Sequence, residues 1–381
     1  MLSDTQEVPS EAQDMSLPHS TQAGKVLRVL IHLQALFREG LNHLSQRYGD
    51  QKSLSRSEWL RDQGTHGGGW RWGGVDSGIL NRGSLNISAI HYDDLPDKRL
   101  SSATALSCIV HPQVPYAPSL HTHISWTELR HGDGGGWRLM ADLNPSTPYE
   151  SDHKVFIKAI DDALSPLSMD QIQHAKEQGD RYFYIPVLDR HRGVAHYYLE
   201  QWKTDDFAED LKVAQGFGER VVETYLSLLE AALSGGQIRH PQATVKRQID
   251  YHSVYFLQVL TLDRGTSSGL LVHQQNDEGI LGSLPQRVSR STLRSWIGRL
   301  PSPQDQLLSS LIGVLRSDEP QGDLCTLDQF TRRQLAKIVR DHYQRHPEAL
   351  ALQARGDVLP PTVANHSSEH SEVDRSEVQK T

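Results

Sequence analysis

Apolar residues recur at Val26, Leu30, Leu33, Phe37, Leu41 and Leu44 in steps of three and four. This period predicts an amphipathic helix from Ala23 to about Tyr48, ended by Gly49-Asp50. The period then changes to two. Leu85–His91, Ala105–His111, Leu120–Leu129 and Trp137–Leu143 alternate apolar and polar residues and predict four half-buried strands. A Gly132–Gly136 turn joins the last two, and Pro112, Pro115, Pro118 and Pro145 exclude helix from the region. The glycine-heavy stretch 64–84, with Trp70 and Trp72 embedded, reads as an irregular loop. Helical spacing returns at Asp152–Gln178, interrupted at Pro166, and at Asp206–Leu233, with a strand at Arg192–Glu200 between them. Tyr255–Leu262 and Gly269–His273 read as an antiparallel pair around Asp263-Arg-Gly-Thr266, and helices are expected near Pro303–Arg316 and Leu327–Arg345. Neighbouring strands with short connections pair antiparallel, because parallel pairs need long crossovers. The fold class expected is a single α+β domain whose antiparallel sheet is covered by helices.

Composition sets the limits of that domain. Residues 1–22 hold four acids and no Lys or Arg, and residues 356–381 hold five acids against Arg375 and Lys380, with no aromatic residue. These ends, 1–22 and 356–381, are expected to be disordered acidic tails around a domain at 23–355, with the tail histidines His366 and His370 solvated. The tails account for seven of the eight net negative charges of the 381-residue chain, so the body is nearly neutral. A neutral body argues against a nucleic-acid partner, which needs a basic face. No apolar run approaches the ~20 residues of a membrane span. Residues 1–22 lack the pattern of a secretory or mitochondrial leader. Cys108 and Cys325 are far apart without metal-ligand spacing, and a reducing cytoplasm is the expected location.

Few motifs carry chemistry. Gly265-Thr-Ser267-Ser-Gly269 matches a nucleophile-elbow pattern, but that motif needs a strand before it and a helix after it, and Leu270–Val272 reads as strand. A hairpin turn is the expected reading. The Gly64–Gly74 stretch lacks a phosphate-cradle pattern; its Trp70, Arg71 and Trp72 either stack on a planar ligand or pack over a sheet edge. The strand 120–129 is more informative. His121, His123 and Ser125 share one face, while Leu120, Thr122, Ile124 and Trp126 share the other. Asp142 lies in the next strand and His111 ends the strand before. Two chemistries stay open. His121 and Asp142 can act as an acid–base pair, or His121, His123 and Asp142 can form a facial triad for iron or copper.

Taken in order, Ser107-Cys-Ile-Val-His-Pro112, Pro115-Tyr116-Ala-Pro118, His121, Trp137 with Asp142-Leu-Asn-Pro145, Tyr182-Phe-Tyr184, Arg192-Gly-Val194, Asp263-Arg-Gly-Thr-Ser-Ser-Gly-Leu270 and Glu278-Gly-Ile-Leu-Gly-Ser-Leu-Pro285 resemble the oxygen-dependent coproporphyrinogen III oxidases over residues 59–290. The resemblance implies a large antiparallel sheet flanked by helices on both sides, a homodimer, and a reaction with molecular oxygen and no metal or organic cofactor. Oxygen would convert propionate side chains of a porphyrinogen into vinyl groups and carbon dioxide. It implies catalytic roles for His121 and Asp142 and substrate contacts from Ser107 and Arg192, with His123, Ser125 and Arg264 as further substrate-binding candidates. Several family cations are replaced: Ser125 stands where an Arg is expected, and Tyr251-His-Ser-Val-Tyr255 replaces an Arg-rich run. These replacements leave four alternatives: propionates held by other residues such as Arg71, Arg138 or Arg264, a related oxidative decarboxylation of a smaller or less anionic substrate, a pocket that His123 has turned into a metal site, or a module that binds a tetrapyrrole or other planar ligand without catalysis.

Overall fold

The computed structural model describes residues 15–75, 78–130, 134–235, 241–320, 322–354, 363 and 366. Helix α1 (Thr21–Tyr48) opens on Ser20, whose hydroxyl accepts from the Ala23 amide, and its apolar stripe is buried from Val26 to Leu44. Five hairpin-linked strands and a short edge strand follow: β1 (Ser55–Leu60), β2 (Gly67–Val75), β3 (Leu80–His91), β4 (Leu100–Pro112), β5 (Ser119–Leu129) and β6 (Gly135–Asn144). Helices α2 (Glu150–Ala163) and α3 (Met169–Phe183) come next, split around Pro166, then the two-residue strands β7 (Tyr184–Ile185) and β8 (Arg190–His191). Strand β9 (Ala195–Trp202) completes a seven-stranded antiparallel sheet in the order β1-β2-β3-β4-β5-β6-β9. Helices α4 (Phe207–Ser234), α5 (Pro241–Thr261), α6 (Arg264–Val272) and α7 (Asp277–Ile280), strand β10 (Arg287–Ser289), helices α8 (Arg290–Arg294) and α9 (Gln304–Gly313), strand β11 (Leu324–Thr326) and helix α10 (Gln329–Arg345) follow.

The fold is α+β, as the pattern predicts, and the alternation of the strands explains its layers. One sheet face presents Leu85, Ile87, Leu106, Val110, Leu120, Ile124, Leu139 and Leu143 to a core shared with α1, α2 and α4. Each such side chain contributes about 1.5–3 kcal/mol by leaving water. Gly218 lets α4 approach, since a Cβ there would lie 2.4 Å from a Leu33 methyl. The opposite face is polar and small, and a second core built from α5 to α10 covers it, with Ile109 as the sheet's contribution. Two cores with a polar sheet face between them leave room for a cavity.

Three expectations are corrected. The stretch 64–84 is not a loop but holds all of β2 and the start of β3. Its glycines permit close backbone approach: a Cβ on Gly67 or Gly69 would meet the carbonyl oxygen of Ala89 or Ile87 at 2.1 Å. Second, 255–262 and 269–273 are not a strand pair. The first belongs to α5, whose run from Tyr255 to Leu260 is buried on all sides, and a helix buried all round has the same apolar run as a buried strand. The second is the end of α6, which Asp263 caps by accepting from the Thr266 amide at 2.7 Å. Ser267 therefore lies inside a helix, its hydroxyl donating to the Asp263 carbonyl, and no strand precedes it.

Third, the tail boundaries move. Residues 1–14 lie outside the described residues, but Met15 is buried and the Ser16 hydroxyl donates to the Gly64 carbonyl at 2.7 Å. His366 is packed rather than solvated: Tyr92 Oη lies 2.8 Å from its Nδ1 and Lys98 donates to its carbonyl. His370 and part of the Gly132–Gly136 turn lie outside the described residues. Among the described residues no helix is long and apolar enough to cross a membrane.

A buried relay ties α1 to the sheet. Trp70 Nε1 donates to Gln34 Oε1 at 2.7 Å, and Gln34 Nε2 donates to the Leu85 carbonyl at 2.8 Å. Gln34→Leu should lower unfolding free energy by about 2 kcal/mol in urea titration, because it strands both partners. A loss below about 0.5 kcal/mol would show that the relay is not needed.

Candidate active site

The polar sheet face is organised in cross-strand rows. Asn86, Ser107, His123, Met140 and Tyr198 form one, on successive strands β3, β4, β5, β6 and β9. Ser84, Ile109, His121, Asp142 and His196 form the next. Directly opposed residues stand about 4.5–5.5 Å apart at Cβ, so the pairing itself puts His121 against Asp142. Helices α3, α5 and α6 roof these rows with Tyr182, Tyr255, Val259 and Asp263. The result is a cavity of about 250 Å³.

A buried charge cluster runs from the cavity wall at Arg192 into the sheet behind it. Arg192 donates to Asp142 Oδ2 from Nε at 3.1 Å and from Nη2 at 2.6 Å, and Asn144 Nδ2 donates to the same oxygen at 2.6 Å. The guanidinium lies 4.6 Å from the Phe183 ring centre and 5.2 Å from that of Tyr255. Gly193 lets this turn lean on β6, since a Cβ would lie 2.4 Å from the Leu143 carbonyl oxygen. Burial by itself would raise the Asp142 pKa, but Arg192 and then His121 outweigh it and hold the carboxyl well below its usual range. The same carboxylate keeps Arg192 charged against its own burial.

His121 joins the pair to the cavity. Its Nδ1 lies 2.9 Å from Asp142 Oδ1 and 2.9 Å from Arg192 Nη2. One nitrogen cannot serve both at once. Carrying a proton, Nδ1 faces the carboxylate; without it, Nδ1 accepts from Arg192 and Asp142 Oδ1 is left without a hydrogen bond. Either state leaves Nε2 as the ring's other proton site, and His121 lines the cavity.

The predicted residues therefore divide. His121, His123, Ser107 and Arg192 line the cavity, whereas Asp142 lies behind His121 and Arg192, with no exposed surface. Ser125 is buried on the same face, opposite Arg138, but is not in the cavity wall. Arg264 begins α6 beside the wall residues Gly265 and Thr266 without joining them. The facial triad is not formed: among the described residues no three His, Cys, Asp or Glu side chains are grouped to hold a metal ion. Asp142 is drawn toward Arg192, and His123 is held neutral by burial and then by Arg138.

Several wall residues escaped the sequence reading. Tyr182 and Tyr198 stack at 4.9 Å, and Tyr182 donates to Asp263 at 2.7 Å. Arg138, which the sequence offers as a propionate contact, does line the wall but pairs with Glu200 at 2.5 and 3.0 Å, so both arginines of the wall already have a carboxylate. Asn86 Oδ1 and Trp59 Nε1 are buried without a partner. The alternation of Ser84, Asn86 and Ser88 carries the signal for a polar wall; the tyrosines have none before the helices are placed.

In comparison with known protein families, the family model described as coproporphyrinogen III oxidase matches residues 25–295.

The ion pair fixes an acid response. The unfolded carboxyl takes its proton near pH ~4, and the folded one takes it only well below that. The Asp142 contribution is thus present above pH ~4 and is lost as pH falls toward the folded pKa. Asp142→Asn should cost about 3–5 kcal/mol at pH 7 by stranding Arg192, and should flatten the acid limb of a denaturant-stability profile. An unchanged acid limb would contradict the assignment.

Proposed function

The chain belongs to the coproporphyrinogen III oxidase family, and from that premise we propose that it oxidatively decarboxylates propionate side chains of a porphyrinogen with molecular oxygen. It would do so as a cytoplasmic homodimer without metal or organic cofactor; Cys108 and Cys325, both free, agree with a reducing compartment. Each propionate loses carbon dioxide and becomes a vinyl group, while dioxygen takes two electrons and, with two protons, becomes hydrogen peroxide. The observation that carries the reading is His121 on the cavity wall beside Arg192, with Asp142 buried behind both.

In this reading His121 Nε2 exchanges a proton with the pyrrole nitrogen, and Asp142 steadies the ring through Nδ1 whichever way that proton moves. Asp142 is then a positioning residue, set one layer behind the substrate. Ser107, His123 and Asn86 supply polar contacts along the next row. The tyrosine roof limits water around a reduced, oxygen-sensitive ring. Ser125 and Arg264 act at the margin of the wall.

Metal-stripped protein supplied with coproporphyrinogen III and oxygen should release carbon dioxide and vinyl products. Turnover that returns only with stoichiometric iron or copper would overturn the metal-free reaction. A ligand bound unchanged, with no oxygen consumed, would mark a binding module. Asp142→Ala should lower kcat by about 10²- to 10⁴-fold with a much smaller change in KM, measured on the folded fraction. Normal turnover by that variant would remove Asp142 from the site.

A further inference from the structure

Both arginines of the cavity wall are neutralised by Asp142 and Glu200, so a carboxylate-bearing substrate must find its cations elsewhere. The cavity shares Trp59, Asn276 and Gly279 with a neighbouring hollow of about 380 Å³. That hollow in turn shares Ser57, Arg71 and Glu278 with a groove of about 350 Å³. Arg71 from β2, Arg82 from β3 and Arg332 from α10 converge on this groove.

None of the three is in an ion pair among the described residues. Arg71 donates to the Glu278 carbonyl, Arg82 to the Leu284 carbonyl at 3.0 Å and Arg332 to the Leu327 carbonyl at 2.7 Å. Arg332 Nε is buried with no partner. The nearby anions are committed: the Glu278 carboxylate accepts from Arg333 and Gln329, and Asp328 caps α10. Lys52, on the rim, is paired with Asp50. Burial, and after it the charge of Arg332, depresses the pKa of Arg71; for Arg82 burial is followed by Arg332 and then Arg71. Gly282 makes room, because a Cβ there would lie 2.7 Å from Arg71 Nη1. Arg82 is buried and Arg71 and Arg332 are partly so. Glu278 attracts Arg71 and Arg332 through space, but the hydrogen bonds of all three guanidiniums go to carbonyls. An anion in the groove would therefore stabilise them, and guanidinium forks match a carboxylate.

We propose that Arg71, Arg82 and Arg332 form an anion-binding groove that seats a carboxylate of the substrate while its reacting pyrrole lies at His121. The substrate part of this assignment rests on the function proposed above; the anion site does not. Arg332 lies outside the 25–295 segment matched by the family model, so the groove joins the matched segment to α10.

Citrate binding to the full chain would be measured by calorimetry at ionic strength held constant with sodium chloride, for wild type, Arg71→Gln, Arg332→Gln and the distant surface control Arg47→Gln. Both groove variants should weaken citrate roughly tenfold or more, and the control should not. Arg332→Gln, on a partly exposed side chain, keeps the test open should Arg71→Gln misfold. In turnover of coproporphyrinogen III, citrate should compete and Arg332→Gln should raise KM about tenfold with kcat little changed. Citrate binding that depends on the arginines without competition or a KM change would overturn the substrate assignment, leaving a site for a free anion. No citrate binding to wild type, or binding indifferent to both variants, would overturn the groove itself. Should no porphyrinogen turn over, the proposed function fails while the citrate result still decides the anion site.

Discussion

The Asp142–Arg192 pair is the constraint on which the site depends. Both groups are buried, and either one alone would be an uncompensated charge in a low-dielectric interior. Together, with Asn144 on the same oxygen, they form a fixed dipole directly behind His121. The imidazole thus meets an acceptor or a donor at Nδ1 in either protonation state. That arrangement suits repeated proton exchange better than tight holding of one form. It also consumes Arg192, which therefore orders the wall without offering a free positive charge to a ligand.

The sheet divides the molecule's work. Its apolar face is committed to packing under α1, α2 and α4, and its polar face is spaced from α5 and α6 by small side chains such as Ser84, Ser107 and Ala105. The cavity is a consequence of alternation: the residues that cannot enter the core are the ones that line it. Charge follows the same division. Paired arginines line the cavity, while arginines in no ion pair among the described residues line the groove one hollow away, formed by residues of β2, β3 and α10. In the proposed reading, a reactive centre kept near neutrality and a cationic groove one hollow away separate chemistry from grip.

Much of this was legible in the chain. The period of two in residues 120–129 placed His121 and His123 on one face, and the strand at 137–143 brought Asp142 close; direct pairing of the two needed only the hairpin register. The glycine run at 64–84 hides its strands, because glycine weakens a strand's signature while permitting the close backbone approach that β2 uses. Helix α5 shows no helical period in the sequence, because its run from Tyr255 to Leu260 is buried on every side. The roofing tyrosines and the convergence of Arg71, Arg82 and Arg332 were not legible, since residues far apart in sequence meet only through tertiary packing. The depth of Asp142 was likewise hidden: alternation reports a face, not which residue on it reaches the cavity.

The most direct test is the position of an unreactive porphyrin, coproporphyrin III, in a crystal structure of the complex. The account predicts a pyrrole nitrogen within hydrogen-bond reach of His121 Nε2, about 2.7–3.2 Å, with Asp142 still bound to Arg192 behind the ring. A tetrapyrrole seated away from His121, or an Asp142 carboxylate released from Arg192 to touch the ligand itself, would contradict it.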